Sequence, residues 1–353
     1  MESAGKFTRE EIYSQPTAWL AALQVLSDLS EELRSLAGRG YHQVVFTGCG
    51  STYYLSLAGA ALLQGLTGVP SRGQPASEVW LNPELYFCPG ERTLLVAVSR
   101  SGETTETLRA CETFRNGNYG DILTLSCYPE RALATSGVVN VVLPSGKEES
   151  VAQTRAFSTL YLGTLYLSAV WADRKDVIGA LPQLSGACSA MFDAHAEMVR
   201  QVGADMDLER FYFLGSAYRY GLACELSLKM NEMTLSHSEP FHFMEFRHGP
   251  MSMVNSQTLI TGLLSQANRE AEMAVLQDMR KLGARILAVG SRLSDVPADY
   301  KIEFPLVVDE LCLLPLYLPL VQLMAFHRAL AKGLNPDQPT NLSAVVFLAE
   351  TSH

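Results

Sequence analysis

The sequence predicts an α/β protein of two tandem domains, each a mostly parallel sheet flanked by helices in three αβα layers. Three observations carry this expectation. Short β-rich runs alternate with longer helical patterns, and such alternation implies a parallel sheet covered on both faces. The alternation occurs twice, with strand starts offset by roughly 165 residues, as a duplicated unit would produce. The chain of 353 residues also exceeds what one core usually organises.

In the first half, strands are predicted at 44–46, 93–99, 122–126 and 138–143. Helical periodicity fills roughly 53–66, 104–116 and 154–171. In the second half, the strands are 211–214, 258–264, 285–289 and 301–306, and a final helix covers about 311–332. FTGCG (46–50) parallels FLGSA (213–217), and a helical stretch, 181–202, connects the halves. The expected plan is a helical segment (1–36), a first α/β domain (37–180), a linker helix (181–205), a second α/β domain (206–334) and a tail (335–353) that closes the site. One large doubly wound domain with an accidental echo is the competing reading, and the ordered alignment of four strands disfavours it.

The balance of charge narrows the function. Lys+Arg 27 against Asp+Glu 37 gives a net charge of −10, with no basic stretch, which argues against nucleic-acid binding. An anionic substrate would need a local cluster of donors, since the global field opposes it. The longest apolar stretch, 311–326, is broken by Pro315 and Pro319 and is too short to span a bilayer, so no membrane partner is expected. The seven cysteines are scattered, without CxxC or His/Cys ligand spacing, and the N-terminus has no apolar signal core. These features predict reduced thiols, no metal and a cytoplasmic setting.

Two strand ends carry unusual residues. One is GCGSTYY (48–54); the other lies in VAVSRSGETTETL (96–108). Open parallel sheets bind ligands beyond the carboxyl ends of their strands. Helix N-termini with Ser/Thr hydroxyls and close-approach glycines suit an anion. Ordinary helix capping explains one such turn equally well; two on adjacent strand ends favour phosphate. Neither turn is a P-loop or GxGxxG. The matching turn of the second half, LLSQANRE (263–270), lacks the glycine and the hydroxyl cluster, which predicts a lost phosphate site.

The second half instead holds KMNEMTLSHSEPFHFMEFRHGP (229–250). Lys229 and Glu232 are three apart, on one helix face, and His248 precedes Gly249-Pro250 in a loop. A carboxylate and a histidine beside a bound sugar phosphate can move protons between carbon and oxygen. His237, His242 and His248 lack HExxH spacing, so zinc is not expected. His242 reads as a surface or interface polar residue, His327 as a satisfied helix histidine and His353 as inert.

GCGST, SRSGETTET, ESVAQTRAF (149–157), LKMNE with FRHGP, and NPDQPTNL (335–342) identify the chain as a member of the tandem sugar isomerase (SIS) family, from about Val44 onward. It resembles the isomerase half of glucosamine-6-phosphate synthase and the SIS-type amino-sugar-phosphate deaminases and isomerases. EIYSQPTAW (11–19) is similar to an N-terminal helix of the deaminase-like branch. The resemblance implies flavodoxin-like SIS domains and no cofactor. It assigns the phosphate to Ser51, Thr52, Ser99, Ser101 and Thr104, and sugar contacts to Gly50, Val151 and Gln153, the last replacing a small hydroxyl residue. Glu232 matches the base that carries a proton between C1 and C2, Lys229 a helix lysine near the sugar, and His248 a ring-opening histidine supplied by the neighbouring subunit. The implied partners are a sugar phosphate and a second copy of the chain, in a homodimer with a shared active site.

Some positions depart from the family pattern. Arg100 stands where the synthase has glutamine; it would clamp the phosphate or pair with Glu103 or Glu106. The resemblance does not extend to a glutaminase domain. After Asn341-Leu342 come Ser343 and Ala344, and no lysine follows Lys332, so imine chemistry through a tail lysine is not expected. The implied activity is isomerisation of an amino-sugar phosphate with loss of ammonia. The alternatives are aldose–ketose isomerisation, a sugar–amine deglycase and a non-catalytic sugar-phosphate regulator. Phe241, Phe243, Met244 and Phe246 read as interface anchors, unless they fold back into their own core.

Overall fold

The computed structural model describes residues 4–345, and two parallel five-stranded sheets organise them. The first sheet contains β1 (Gln43–Gly48), β2 (Ser71–Pro75), β3 (Thr93–Ser99), β4 (Gly120–Ser126) and β5 (Val139–Val142), in the order β2-β1-β3-β4-β5. The second contains β6 (Arg210–Gly215), β7 (His237–Phe241), β8 (Thr258–Leu263), β9 (Arg285–Gly290) and β10 (Tyr300–Glu303), in the order β10-β9-β8-β6-β7. Read from the other edge, this is the order of the first sheet strand for strand. Both are flavodoxin-like, with the topological switch beside the first strand of each.

One compact unit comprises Ala18–Glu148, Arg155–Gly179 and the segment from Ser343. Its central strands are buried along their whole length, so they read as continuous apolar runs such as Leu94 to Val98. Helix Arg155–Trp171 is buried at every position from Ala156 to Val170, which explains its all-round apolar sequence. A Cβ on Gly59 would lie 2.6 Å from the Thr164 methyl, so a glycine lets this helix approach helix Ser51–Thr67.

The other unit comprises the segment up to Thr17, Glu149–Thr154 and Ala180–Leu342. Helix Gln183–Ala204 packs along helix Pro319–Ala331, where a Cβ on Gly203 would meet the Met324 carbonyl at 2.4 Å. Asp337 is buried and ties down the first helix, accepting the Thr8 N–H at 2.8 Å and the Thr8 hydroxyl at 2.7 Å. The end of the predicted tail, 346–353 with His353, lies outside the described residues.

Several predicted elements need correction. The alternation pattern missed β2 (SRGQP) and β7 (HSEPF). Both are edge strands, where Gly and Pro are tolerated because one side of the ladder is unpaired. The strand predicted at 301–306 ends at Glu303, before Phe304-Pro305, since proline has no N–H for the ladder. The helix predicted over 311–332 is a 3₁₀ turn, Leu314–Tyr317, followed by helix Pro319–Ala331, each with a proline in its first turn. Phe243 and Phe246 are fully buried against Tyr212, Leu214 and Ile260 of their own unit, with Phe241 packed beside them. They are core residues, not interface anchors; Met244 alone of the four is exposed.

Candidate functional site

The hydroxyl-rich turns follow β1 and β3, adjacent strands on either side of the switch point. After β1 the chain turns sharply. A Cβ on Gly48 would lie 2.5 Å from Thr52 Oγ1 and 2.8 Å from the Thr52 carbonyl carbon. Gly50 has φ 55° and ψ −122°, a conformation that penalises side chains, and Ser51 opens the helix. Thr52 Oγ1 accepts the Cys49 N–H and donates to the Cys49 carbonyl, each at 2.9 Å. Ser51 and Thr52 are both buried. Burial raises the neighbouring Cys49 thiol to about 11, despite a bond from Thr107 that favours the thiolate.

After β3, Ser99 Oγ accepts the Gly102 N–H at 3.1 Å and lies 3.0 Å from Thr104 Oγ1 and 3.4 Å from Ser101 Oγ. Ser101 Oγ accepts the Glu103 N–H at 3.2 Å. Gly102 has φ 70°, the left-handed region that a glycine supplies without strain. Thr104 immediately precedes helix Thr105–Asn116 but makes no side-chain cap bond to it. Its hydroxyl faces Ser99 instead, so ordinary capping does not account for this residue.

Arg100 pairs with neither Glu103 nor Glu106. Its guanidinium lies 3.3 Å from Glu148, and both side chains are buried. It also donates to the Ala344 carbonyl at 3.1 Å. Glu148 in turn accepts the Ala156 N–H at 3.1 Å, and Glu103 is taken by Arg131 at 2.5 Å. Glu148 lies 48 residues from Arg100, too far along the chain for any local pattern to pair them.

The proton-transfer candidates belong to the other unit. Helix Tyr218–Thr234 carries Glu225, Lys229 and Glu232 at i, i+4 and i+7. The Lys229 ammonium is buried, 3.4 Å from Glu225 and in direct contact with the Glu232 carboxylate. Glu225 is fully buried, while Glu232 retains 19% of its exposure, which leaves the latter a face for a ligand. Sequence reading overlooked Glu225; a carboxylate four residues before Lys229, inside the apolar run LACELSL, was the available signal. His248 is exposed, at the end of the turn Glu245–Arg247, and Gly249 follows at φ 119°. His242 is an exposed residue stacked on Tyr220, ring centroids 3.8 Å apart.

The loop Glu149–Thr154 carries the sugar candidates. Glu11 is buried and accepts the N–H groups of Glu149 and Ser150, at 2.6 and 3.1 Å, and the Ser150 hydroxyl. The Val151 N–H donates to the Asp337 carbonyl at 3.0 Å. Gln153 Oε1 is buried and accepts no hydrogen bond among the described residues. Glu11 is a third residue that sequence reasoning missed, because its partners lie 138 and 139 positions away. Among the described residues, no group of three or more His, Cys, Asp or Glu could hold a metal ion, and no helix is long and apolar enough to cross a membrane.

Residues 39–171 match the SIS domain. The chain is 27% identical to the glutamine–fructose-6-phosphate aminotransferase (isomerizing) of Pyrococcus horikoshii, over 96% of this chain and 57% of that protein. It therefore spans little more than half the length of such relatives. The tagatose-6-phosphate ketose/aldose isomerase of Escherichia coli superposes with a TM-score of 0.86 at 25% identity, covering 94% of this chain and 95% of that one. The glucosamine-6-phosphate deaminase of Thermotoga maritima superposes at 0.72 and 25% identity, covering 93% and 100%.

Proposed function

On the premise that this chain is a tandem SIS-domain protein, akin to sugar-phosphate isomerases, we propose that it is an enzyme that isomerises an amino-sugar phosphate and releases its nitrogen as ammonia. The observation that carries this reading is the Glu225–Lys229–Glu232 array: a partly open carboxylate held by a buried ammonium, as a positioned proton carrier requires.

In this reading the phosphate is held by Ser51, Thr52, Ser99, Ser101 and Thr104, with Arg100 adding positive charge. Phosphate oxygens are acceptors only, so the hydroxyls would turn from one another to the ligand. Gly50, Val151 and Gln153 contact the sugar. His248, in a homodimer acting on the partner chain's substrate, moves the proton that opens the ring. Opening creates a C1 carbonyl, which acidifies the C2–H bond. Glu232 takes that proton and returns it to C1. The C2 imine left behind adds water, and the carbinolamine expels ammonia to give the ketose phosphate. Atoms balance with water as the one co-reactant.

The likeness to a ketose/aldose isomerase at a TM-score of 0.86 favours a second reading, in which proton transfer between C1 and C2 occurs without loss of nitrogen. One experiment separates the two. The protein is incubated with glucosamine and galactosamine 6-phosphates and with ketose and aldose 6-phosphates, and ammonia and ketose are assayed together. Equal amounts of both products from an amino sugar support deamination. Turnover of plain sugars alone supports the second reading, and binding with no turnover sinks both in favour of a regulator.

A further inference from the structure

The turns after β6 and β8 are the counterparts of the phosphate turns after β1 and β3. The pairing registers align, Gln43 with Thr93 in one sheet and Arg210 with Thr258 in the other. Ala217, at φ 51° and ψ −128°, repeats the backbone of Gly50 at φ 55° and ψ −122°. Gly215 repeats the close approach of Gly48, since a Cβ there would meet the Arg219 carbonyl oxygen at 2.4 Å. In this alignment Arg219 takes the place of Thr52, and Leu264, Ser265 and Gln266 take those of Ser99, Arg100 and Ser101.

What fills the second pair of turns is a carboxylate. Glu310 Oε1 lies 2.5 Å from the Arg219 guanidinium and accepts the Gln266 N–H at 2.6 Å. It thus bridges the turn after β6 and the turn after β8. Arg219 is 2% exposed and is aimed further by Tyr317, whose hydroxyl accepts from Nε at 3.0 Å and donates to the Leu264 carbonyl at 2.5 Å. A buried guanidinium and a backbone N–H converging on one oxygen are the donors that an anion at a switch point needs.

We infer that the turns after β6 and β8 form a second anion site, of the class that takes phosphate or sulfate, and that Glu310 fills it from within the chain. An intramolecular carboxylate competes at high effective concentration, so an external anion does not enter. The unit holding the second sheet has kept the anion site and closed it. This inference does not depend on the reaction proposed above.

The test is calorimetric titration with inorganic phosphate. Glu310→Ala is made in a Ser101→Ala, Thr104→Ala background, which weakens the phosphate turn of the first sheet. The triple variant should bind one more phosphate per chain than its parent. Adding Arg219→Gln should weaken that binding about tenfold or more. A folded Glu310→Ala protein that binds no more phosphate than its parent overturns the inference. If that variant is unfolded in anion-free buffer, its refolding is titrated with phosphate: recovered folding supports the inference, and folding that no phosphate concentration restores overturns it. Absence of phosphate binding to the unmodified chain would reject the phosphate role of Ser101 and Thr104 and leave this test intact.

Discussion

Glu148→Ala is the perturbation whose size follows most directly from the geometry. The Arg100 and Glu148 side chains are 5% and 0% exposed and 3.3 Å apart. Breaking a buried ion pair by removing one partner typically costs about 3–5 kcal/mol. Glu148 also accepts the Ala156 N–H in the first turn of a wholly buried helix, so Ala should fall toward the upper end. Replacing both residues together, Arg100→Met with Glu148→Leu, removes both desolvation penalties and should cost far less than Glu148→Ala alone. Urea unfolding of the wild type, Glu148→Ala, the single variants Arg100→Met and Glu148→Leu, and their double variant measures this comparison. A shift of about 3 kcal/mol is a large fraction of the stability of an ordinary domain and is easily resolved by the midpoint. A Glu148→Ala loss below about 1 kcal/mol, the range of an exposed pair, would refute the reasoning: the guanidinium would then be solvated, and its place in the phosphate turn would have to be redrawn.

Other outcomes follow from the same geometry. Ser101→Ala with Thr104→Ala should weaken sugar-phosphate affinity, with each lost bond to the charged group worth roughly 1.5–3 kcal/mol; unchanged affinity by calorimetry would reject the phosphate assignment. The Cys49 thiol, raised to about 11 by burial, is the neutral form at any lower pH, so alkylation at pH 8 should modify exposed Cys88 and spare Cys49; mass spectrometry showing Cys49 labelled at a comparable rate would contradict this. Glu232→Gln and His248→Ala should each be nearly inactive alone. Mixed under subunit exchange, a shared site predicts that about half the dimers are mixed and that activity returns to roughly a quarter of wild type; a verified mixed dimer without recovery would place both residues in one chain's site.

What could be read in the sequence was whatever is local. The central strands announced themselves as apolar runs such as LLVAV, and the turns after β1 and β3 by glycines and hydroxyls within a few positions of each other. Edge strands β2 and β7 did not, because an edge tolerates SRGQP and HSEPF, which carry no alternation. The broken C-terminal helix was written in Pro315 and Pro319, yet the apolar periodicity around them outweighed the prolines. Phe243 and Phe246 misled for a related reason: an aromatic cluster between charged residues looks alike whether it faces a partner or its own core. Arg100, Glu11 and Glu310 were visible as charges, but their partners Glu148, Ser150 and Arg219 lie far along the chain and only the fold supplies them. Buried ion pairs of this kind have no sequence period, so the acceptor of a given arginine could not be chosen among neighbours such as Glu103.

The central claim is that Glu232 carries a proton between adjacent carbons of a sugar phosphate, and one measurement addresses it directly. The wild type and Glu232→Gln are incubated with an amino-sugar 6-phosphate in deuterated water, and the C1 and C2 protons are followed by NMR, with binding measured separately by calorimetry. The account predicts solvent deuterium at these positions with the wild type, and none above the uncatalysed background with Glu232→Gln, while the variant still binds the sugar phosphate. Exchange at the wild-type rate in Glu232→Gln would contradict it and assign the proton transfer to another residue.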